Sequence, residues 1–101
     1  MKVYLIDAEN RTIENIDVNN MDDIISLVGY ETIESDAIGN EGDRLFFDEE
    51  CFLKGSAGRF QIDTVIPVSG KAVLVGANED GSTLSDVSTD MNDLRSRIKY
   101  L

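Results

Sequence analysis

The chain has 101 residues, no histidine, one cysteine and a formal net charge of −11. Its length suits a single domain with one modest core, and a hydrophobic fraction of 42% is too high for an acidic disordered tail. A single cysteine excludes an intramolecular disulfide, and the lack of histidine removes the side chain most used in acid–base catalysis and zinc sites. We therefore expect one globular domain, residues 1–101, that is not an enzyme.

The first third of the chain predicts a β-hairpin followed by a short helix. Apolar and polar residues alternate over 2–7 and over 11–17, with a polar turn between the two segments. Asn20 is a favourable N-cap, acidic residues follow it in the first helical turn, and Gly29 suits the position after the last helical residue. Since so short a helix is not stable alone, we expect it to dock on a sheet.

The middle of the chain predicts mainly strands. These are expected at 30–35, 44–47, 59–62, 65–68 and 70–76. The turn at 39–43 is rich in glycine and polar residues, and Leu45 and Phe47 in the strand that follows are expected to point inward. The segment 70–76 is the strongest candidate for a buried strand, because its interior is almost entirely apolar.

The end of the chain predicts an amphipathic helix capped by Ser88 or Thr89. Its apolar stripe has a helical period and consists of Met91, Leu94, Ile98 and Leu101. Together these elements predict an α+β fold. We expect an antiparallel sheet with one short helix after the N-terminal hairpin and one C-terminal amphipathic helix.

The sequence also predicts a cytosolic protein without a membrane partner. The apolar run at the N-terminus is too short for a signal peptide, and no segment approaches the roughly 18 apolar residues of a membrane span. A single cysteine is typical of a reducing compartment.

The acidic residues are concentrated in one half of the sequence. Residues 1–50 contain fourteen carboxylates and three basic residues, whereas residues 51–101 contain six of each. Such a charge repels nucleic acid and anionic membranes and attracts cationic partners, or it serves only to keep the protein in solution. Carboxylates along one face would imitate a phosphate backbone and fit a nucleic-acid-binding groove. The candidate partner-binding residues are Asp22, Asp23, Glu31, Glu34, Asp43, Asp48, Glu49 and Glu50.

Other features give weaker indications of chemistry. The acids at 48–50 cluster near Asp43, but their spacing matches no calcium loop. The turn at 78–82 resembles the start of such a loop but lacks the glycine and glutamate required further along. Cys51 lies beside two apolar residues and is expected to be a buried small hydrophobic residue. We expect no metal site, no cofactor and no catalytic residue.

A second hypothesis concerns glycine-rich loops with basic neighbours. Gly55 and Gly58 precede Arg59, and Gly70 precedes Lys71, so Arg59 and Lys71 are alternative anion-binding residues. The loops lack the Lys-Ser/Thr of a phosphate-binding loop and the dinucleotide fingerprint. In this alternative the protein is an oligomeric binder of a small molecule such as a nucleotide. A third hypothesis is a structural domain whose acidity only aids solubility.

Four stretches, at 27–34, 42–50, 70–76 and 93–98, resemble a family of small uncharacterised proteins from phages, plasmids and bacteria. The sequence departs from this pattern at Cys51 and Phe52, where a glycine-type turn is expected. The resemblance covers nearly the whole chain. It implies that the protein is encoded by a mobile element and is located in the bacterial host cytosol. It implies no catalytic residue, because the family has no established activity.

The leading hypothesis is a non-enzymatic acidic protein that occupies a basic, nucleic-acid-binding surface of a host protein. An anti-defence inhibitor that blocks a nuclease is one example. The mechanism is competition for charge, so we expect no direct binding of nucleic acid.

Overall fold

The computed structural model describes residues 1–29, 33–39, 42–50, 58–65 and 67–101. In chain order, the elements within these ranges are β1 (Lys2–Asp7), β2 (Thr12–Asp17), α1 (Met21–Val28), β3 (Ile33–Ile38), β4 (Asp43–Asp48), β5 (Arg59–Ile62), β6 (Val68–Ser69), β7 (Lys71–Ala77), β8 (Leu84–Ser85), α2 (Met91–Arg97) and β9 (Ile98–Tyr100). Neither helix is long and apolar enough to cross a membrane.

The main sheet is antiparallel and is built around β7. Its strand order is β2-β1-β7-β4-β3. Strand β8 pairs with the last two residues of β7 and lies on the same side of β7 as β1, which pairs with the earlier residues of that strand. The prediction that β7 is a buried strand is confirmed, since its side chains from Ala72 to Val75 are completely inaccessible to solvent. A strand that is apolar on both faces requires a cover on each face.

Two apolar cores cover the two faces of the main sheet. On the first face, the strands β5, β6 and β9 form a second antiparallel sheet, of order β6-β5-β9, which packs together with α2. On the second face lies α1. Leu45 and Phe47 point into the first core, as predicted, whereas Phe46 between them points into the second core. The α+β fold class with its antiparallel sheet is therefore confirmed.

Helix α1 begins and ends where the sequence predicts. The Asn20 side chain accepts a hydrogen bond from the Asp23 N–H at 3.1 Å, and the Asp23 carboxylate accepts one from the Asn19 N–H at 2.8 Å. The first bond satisfies a donor in the first turn of the helix, and the second ties the residue before the N-cap to the same turn. Gly29 has a φ of 94° and ends the helix in the left-handed conformation that glycine adopts without strain.

Several strand boundaries differ from the prediction. The hairpin of β1 and β2 is confirmed. The described part of the strand predicted at 30–35 is in β3, which continues to Ile38, and residues 30–32 lie outside the described residues. Among the described residues of the strand predicted at 65–68, Val68 alone is a strand residue. Cys51, predicted to be buried, also lies outside the described residues.

The buried carboxylate of Asp43 fixes the chain between β8 and α2. Asp43 is 1% exposed and accepts hydrogen bonds from the N–H groups of Ser88 and Thr89, both at 2.8 Å, and from the Thr89 hydroxyl. The Tyr4 hydroxyl donates to the Thr89 carbonyl at 2.8 Å. One carboxylate of β4 thus attaches the entry of α2 to the main sheet.

Gly76 permits the close approach of the chain that follows β8. It lies inside β7, one residue before the end of the strand. A Cβ at this position would lie 2.3 Å from the carbonyl oxygen of Asp86, which no side chain tolerates.

The C-terminal segment is a helix only in its first half. The prediction of a helix that continues to Leu101 is wrong beyond Arg97, where the chain turns into β9. Branched Ile98 and aromatic Tyr100 suit a strand, and β9 pairs with β5. Of the predicted stripe, Met91 and Leu94 therefore lie in α2, Ile98 lies in β9 and Leu101 follows β9.

The N-cap of α2 is Asp90, whose side chain accepts a hydrogen bond from the Asn92 N–H at 3.1 Å. The predicted caps, Ser88 and Thr89, precede the helix and bind Asp43. The N-cap is therefore one residue after the second of the two predicted positions.

Arg97 joins the end of α2 to the second sheet. Its Nε atom lies 3.1 Å from both carboxylate oxygens of Asp63, and its Nη1 atom lies 3.2 Å from the Asp93 carboxylate. The hydrogen bonds from Arg97 lower the pKa of Asp63 against the opposing effect of burial, and the charge of Arg97 lowers it further. This pair holds α2 in place at the start of β9.

We predict that Asp43→Ala lowers the free energy of unfolding by about 3 kcal/mol, because it leaves buried donors of Ser88 and Thr89 without an acceptor. Asp43→Asn keeps one acceptor oxygen and is expected to cost less. Urea denaturation followed by circular dichroism measures both effects. The matched control is Asp17→Ala on the exposed end of β2, which is expected to change stability by less than about 0.5 kcal/mol. Equal effects at both positions would contradict the anchoring role.

We predict that Asp63→Asn lowers stability by about 1 kcal/mol at neutral pH, since it weakens a bidentate but partly exposed ion pair. The folded-state pKa of Asp63 is depressed below its ordinary 3.8. Its contribution is therefore complete above that value and is lost as the pH falls through the folded pKa. Unfolding curves of the two proteins should converge as the pH falls below about 4. Asp63 has a positive φ, which asparagine also adopts. A difference in stability that is the same at every pH would therefore point to packing and not to charge.

Candidate functional site

The structure does not bring the eight predicted acidic residues to one surface. Asp43 and Asp48 are buried, with exposed fractions of 1% and 2%. Asp43 binds the entry of α2, and the Asp48 carboxylate accepts a hydrogen bond from the Glu50 N–H at 3.1 Å. The expectation that these two carboxylates belong to an exposed acidic face is corrected accordingly, because both lie inside the fold.

The remaining predicted acids are dispersed. Asp22 and Asp23 lie in the first turn of α1, Glu34 lies on the edge strand β3, and the acids at 49–50 follow β4. The start of α1 and the end of β4 are at opposite ends of the main sheet, because β4 ends beside the beginning of β7. Glu31 lies outside the described residues.

A different set of carboxylates gathers at one end of the main sheet. At this end β1 begins, β2 and β7 end, and both helices begin. We call the set the acidic end; its members are Asp17, Asp22, Asp23, Glu79, Asp80, Asp86 and Asp90. All are exposed except Asp23, which is half-buried, and Glu79 and Asp80 lie on the loop that leaves β7.

Backbone contacts hold the acidic end together. The Asp86 carboxylate accepts a hydrogen bond from the Lys2 N–H at 2.8 Å, and the N-terminal ammonium of Met1 donates to the Val18 carbonyl at 2.7 Å. Burial raises the pKa of the Tyr4 hydroxyl, and the negative charge of Asp90 raises it further. The charge of Asp90 therefore acts close to the start of β1.

The sequence prediction missed five members of the acidic end, namely Asp17 in the acidic half of the chain and four residues in the half with no net charge. The four are Glu79, Asp80, Asp86 and Asp90. A count of charges along the sequence contains no signal for them. Asp86 and Asp90 lie near Asp17 because the segment after β8 runs beside β1, whereas Glu79 and Asp80 lie on the loop after β7, on the side of β4.

The basic side chains are distributed differently. Arg44 is held within the fold, where it donates to Ser35 and, at 2.6 Å, to the carbonyl of Glu79. Arg97 binds Asp63, and the basic residues of the described ranges that lie at the acidic end are Lys2 at the start of β1 and Arg44 at the start of β4. The other described basic residues lie around the turn between β1 and β2, on α2 and on the second sheet; they are Arg11, Arg59, Lys71, Arg95 and Lys99.

The predicted anion-binding residues, Arg59 and Lys71, lie near the end of the main sheet that is opposite the acidic end. Lys71 begins β7 opposite Asp7, and its charge contributes to lowering the pKa of Asp7. Arg59 begins β5 next to Gly58, which lies against the backbone of Ala8. The glycine-rich loop at 55–57 lies outside the described residues, so an anion cradle that includes it stays a prediction.

An open groove of about 490 Å³ lies between β2 and the C-terminal segment. Its lining consists of Arg11, Thr12, Ile13, Arg95, Ile98 and Tyr100. The isoleucines and the tyrosine ring also pack on the first core, so the floor of the groove is fixed by the fold. We call this site the cationic groove.

Charged groups converge on Tyr100 in the cationic groove. Burial raises the pKa of its hydroxyl, the positive charge of Arg95 opposes this effect, Asp7 adds to it, and Arg11 opposes it. Asp7 itself is engaged in the adjacent turn, where it accepts hydrogen bonds from the N–H groups of Glu9 and Asn10 at 3.0 and 3.2 Å. Neither Arg11 nor Arg95 forms an ion pair or side-chain hydrogen bond with another described residue.

The part of the chain that the structure describes contains no group of three or more acidic, cysteine or histidine side chains arranged to hold a metal ion. The chain matches no protein-family model, no curated protein and no solved structure. Its resemblance to small proteins of mobile elements therefore stays a prediction.

Proposed function

We propose that the protein is a non-enzymatic binding protein whose acidic end occupies a basic, nucleic-acid-binding surface of another protein. The observation that supports this proposal is the gathering of carboxylates from five separate segments at one end of the sheet. They come from the end of β2, the start of α1, the loop after β7, the segment after β8 and the start of α2.

The separation of charge supports the same function. Apart from Lys2 and Arg44, the described basic residues lie away from the acidic end, so its seven carboxylates outnumber the basic side chains there. Carboxylates that protrude from the end of a rigid sheet replace the phosphates that such a partner ordinarily binds. Attraction of this kind accelerates association and weakens as salt screens the charges.

A role against host defence follows if the partner is a nuclease. A bound protein that fills the basic groove excludes DNA sterically as well as electrostatically, and it needs no catalytic group. The net charge of −11 disfavours direct binding of nucleic acid by the same surface.

We predict that reversing three charges of the acidic end weakens partner binding by at least about tenfold. The variant combines Asp17→Lys, Asp22→Lys and Glu79→Lys. These side chains are exposed and accept no hydrogen bond from another described residue, so folding should persist. The tagged protein is used to recover partners from bacterial lysate at about 50 and 300 mM salt, and each partner is identified by mass spectrometry. Affinity for the purified partner is then measured with and without a competing DNA duplex.

The control variant combines Glu14→Lys, Glu34→Lys and Glu49→Lys, which are exposed but lie away from the acidic end. Both triple variants change the charge by two units at each of three positions, so general electrostatics affects them alike. The proposal expects the control to bind within about twofold of the wild type and expects DNA to compete. Equal losses in the two variants, or a partner that binds DNA and this protein simultaneously, would contradict it.

A further inference from the structure

We propose that the cationic groove binds a small organic phosphate, whose phosphate group contacts Arg11 and Arg95 and whose apolar body lies on Ile13, Ile98 and Tyr100. This proposal does not depend on the function of the acidic end. It concerns a site that neither the charge pattern nor the glycine-rich loops indicated.

The cationic groove lies between two strand edges. β2 is an edge strand of the main sheet, and β9 is an edge strand of the second sheet. The groove runs between them and is lined by the beginning of β2, by α2 and by β9. Its volume of about 490 Å³ lies within the range of small-molecule sites.

The two arginines of the groove have no carboxylate partner among the described residues. With twenty acidic and nine basic residues in the chain, carboxylates are abundant. Even so, Arg11 and Arg95 form no ion pair with a described residue, whereas Arg97, two positions after Arg95, binds two carboxylates. Two guanidinium groups of permanent charge thus border one groove with their donors available.

The side chains of the groove match the chemistry of an organic phosphate. A guanidinium group matches the oxygens of phosphate in a two-pronged hydrogen bond, and a phosphate monoester has enough terminal oxygens for two such groups. The hydroxyls of Thr12 and Tyr100 in the lining add further polar atoms. The apolar floor contributes contact area for a planar or hydrophobic body but none for inorganic phosphate alone.

The test is a titration of the isotope-labelled, full-length protein followed by nuclear magnetic resonance of its backbone amides. The probes are adenosine monophosphate, uridine monophosphate, phenyl phosphate, adenosine and inorganic phosphate. We expect at least one of the three phosphate esters to shift amide signals of residues 11–13 and 95–100. Adenosine and inorganic phosphate are expected to bind at least about tenfold more weakly than that ester.

Arg11→Gln and Arg95→Gln are each expected to weaken binding of the ester by about tenfold or more. The control is Lys99→Gln, which removes a positive charge from the same strand as Tyr100 but from a residue outside the groove lining. It should bind within about twofold of the wild type, as should the triple variant of the acidic end. Circular dichroism confirms that the variants remain folded.

The proposal is overturned if no phosphate ester binds below about 1 mM, if the shifted signals map outside the groove, or if adenosine binds as well as its monophosphate. It is also overturned if the two arginine variants bind like the wild type. The proposed function of the acidic end survives each of these results, because its own test uses other residues and another partner.

Discussion

The complete burial of β7 is the constraint on which the rest of the structure depends. Its side chains from Ala72 to Val75 point alternately to two faces, and each face must be removed from water. The short helix α1 covers one face, while the second sheet and α2 cover the other. Asp43 attaches the second cover to the strand beside β7, so a buried charge serves the packing of apolar groups.

The same central strand determines where the charges lie. Because β7 pairs with both β1 and β4, it brings the second half of the chain against the first. The acidic end therefore combines Asp17 with Asp86 and Asp90, although these residues are about seventy positions apart. Asp43 and Asp48 show the opposite case, because they belong to the acidic half of the sequence but are buried in the fold. Charge density along a sequence is a poor guide to charge density on the surface of a sheet protein.

Local patterns predicted the elements whose signals are local. The cap at Asn20, the stop at Gly29 and the apolar run of β7 each express a preference of a few neighbouring residues, and each is confirmed. The second sheet could not be predicted in this way. β5 and β9 pair across more than thirty residues, and their short segments contain no turn that would set a register.

The end of α2 illustrates the same limit. Ile98 continues a helical period from Leu94, yet it also alternates with Tyr100 as strand residues do. Pairing with β5 decides between these two patterns. As a strand, β9 supplies hydrogen-bond partners for the backbone of β5, and a helix continued through Ile98 would leave those backbone groups without them. The cationic groove owes its existence to this outcome, since Ile98 and Tyr100 line it as strand residues.

Most of the acidic end is well separated from the cationic groove. β1 runs from the acidic end to the turn that contains Arg11, and its six residues span roughly 16 Å at the usual rise of a strand. This distance is about twice the screening length of roughly 8 Å at physiological salt, so Arg11 is largely screened from the carboxylates near the start of β1. Asp90 is the exception, because it caps α2 five positions before Arg95. An anion in the groove therefore responds mainly to the charges nearest to it, those of Arg11, Arg95 and Asp7, and not to the net charge of the chain. At low salt the screening length exceeds the separation, and the carboxylates then oppose an anionic ligand. Binding of a phosphate ester should thus depend less steeply on salt than two arginine contacts alone would require, because salt weakens the attraction and the repulsion together.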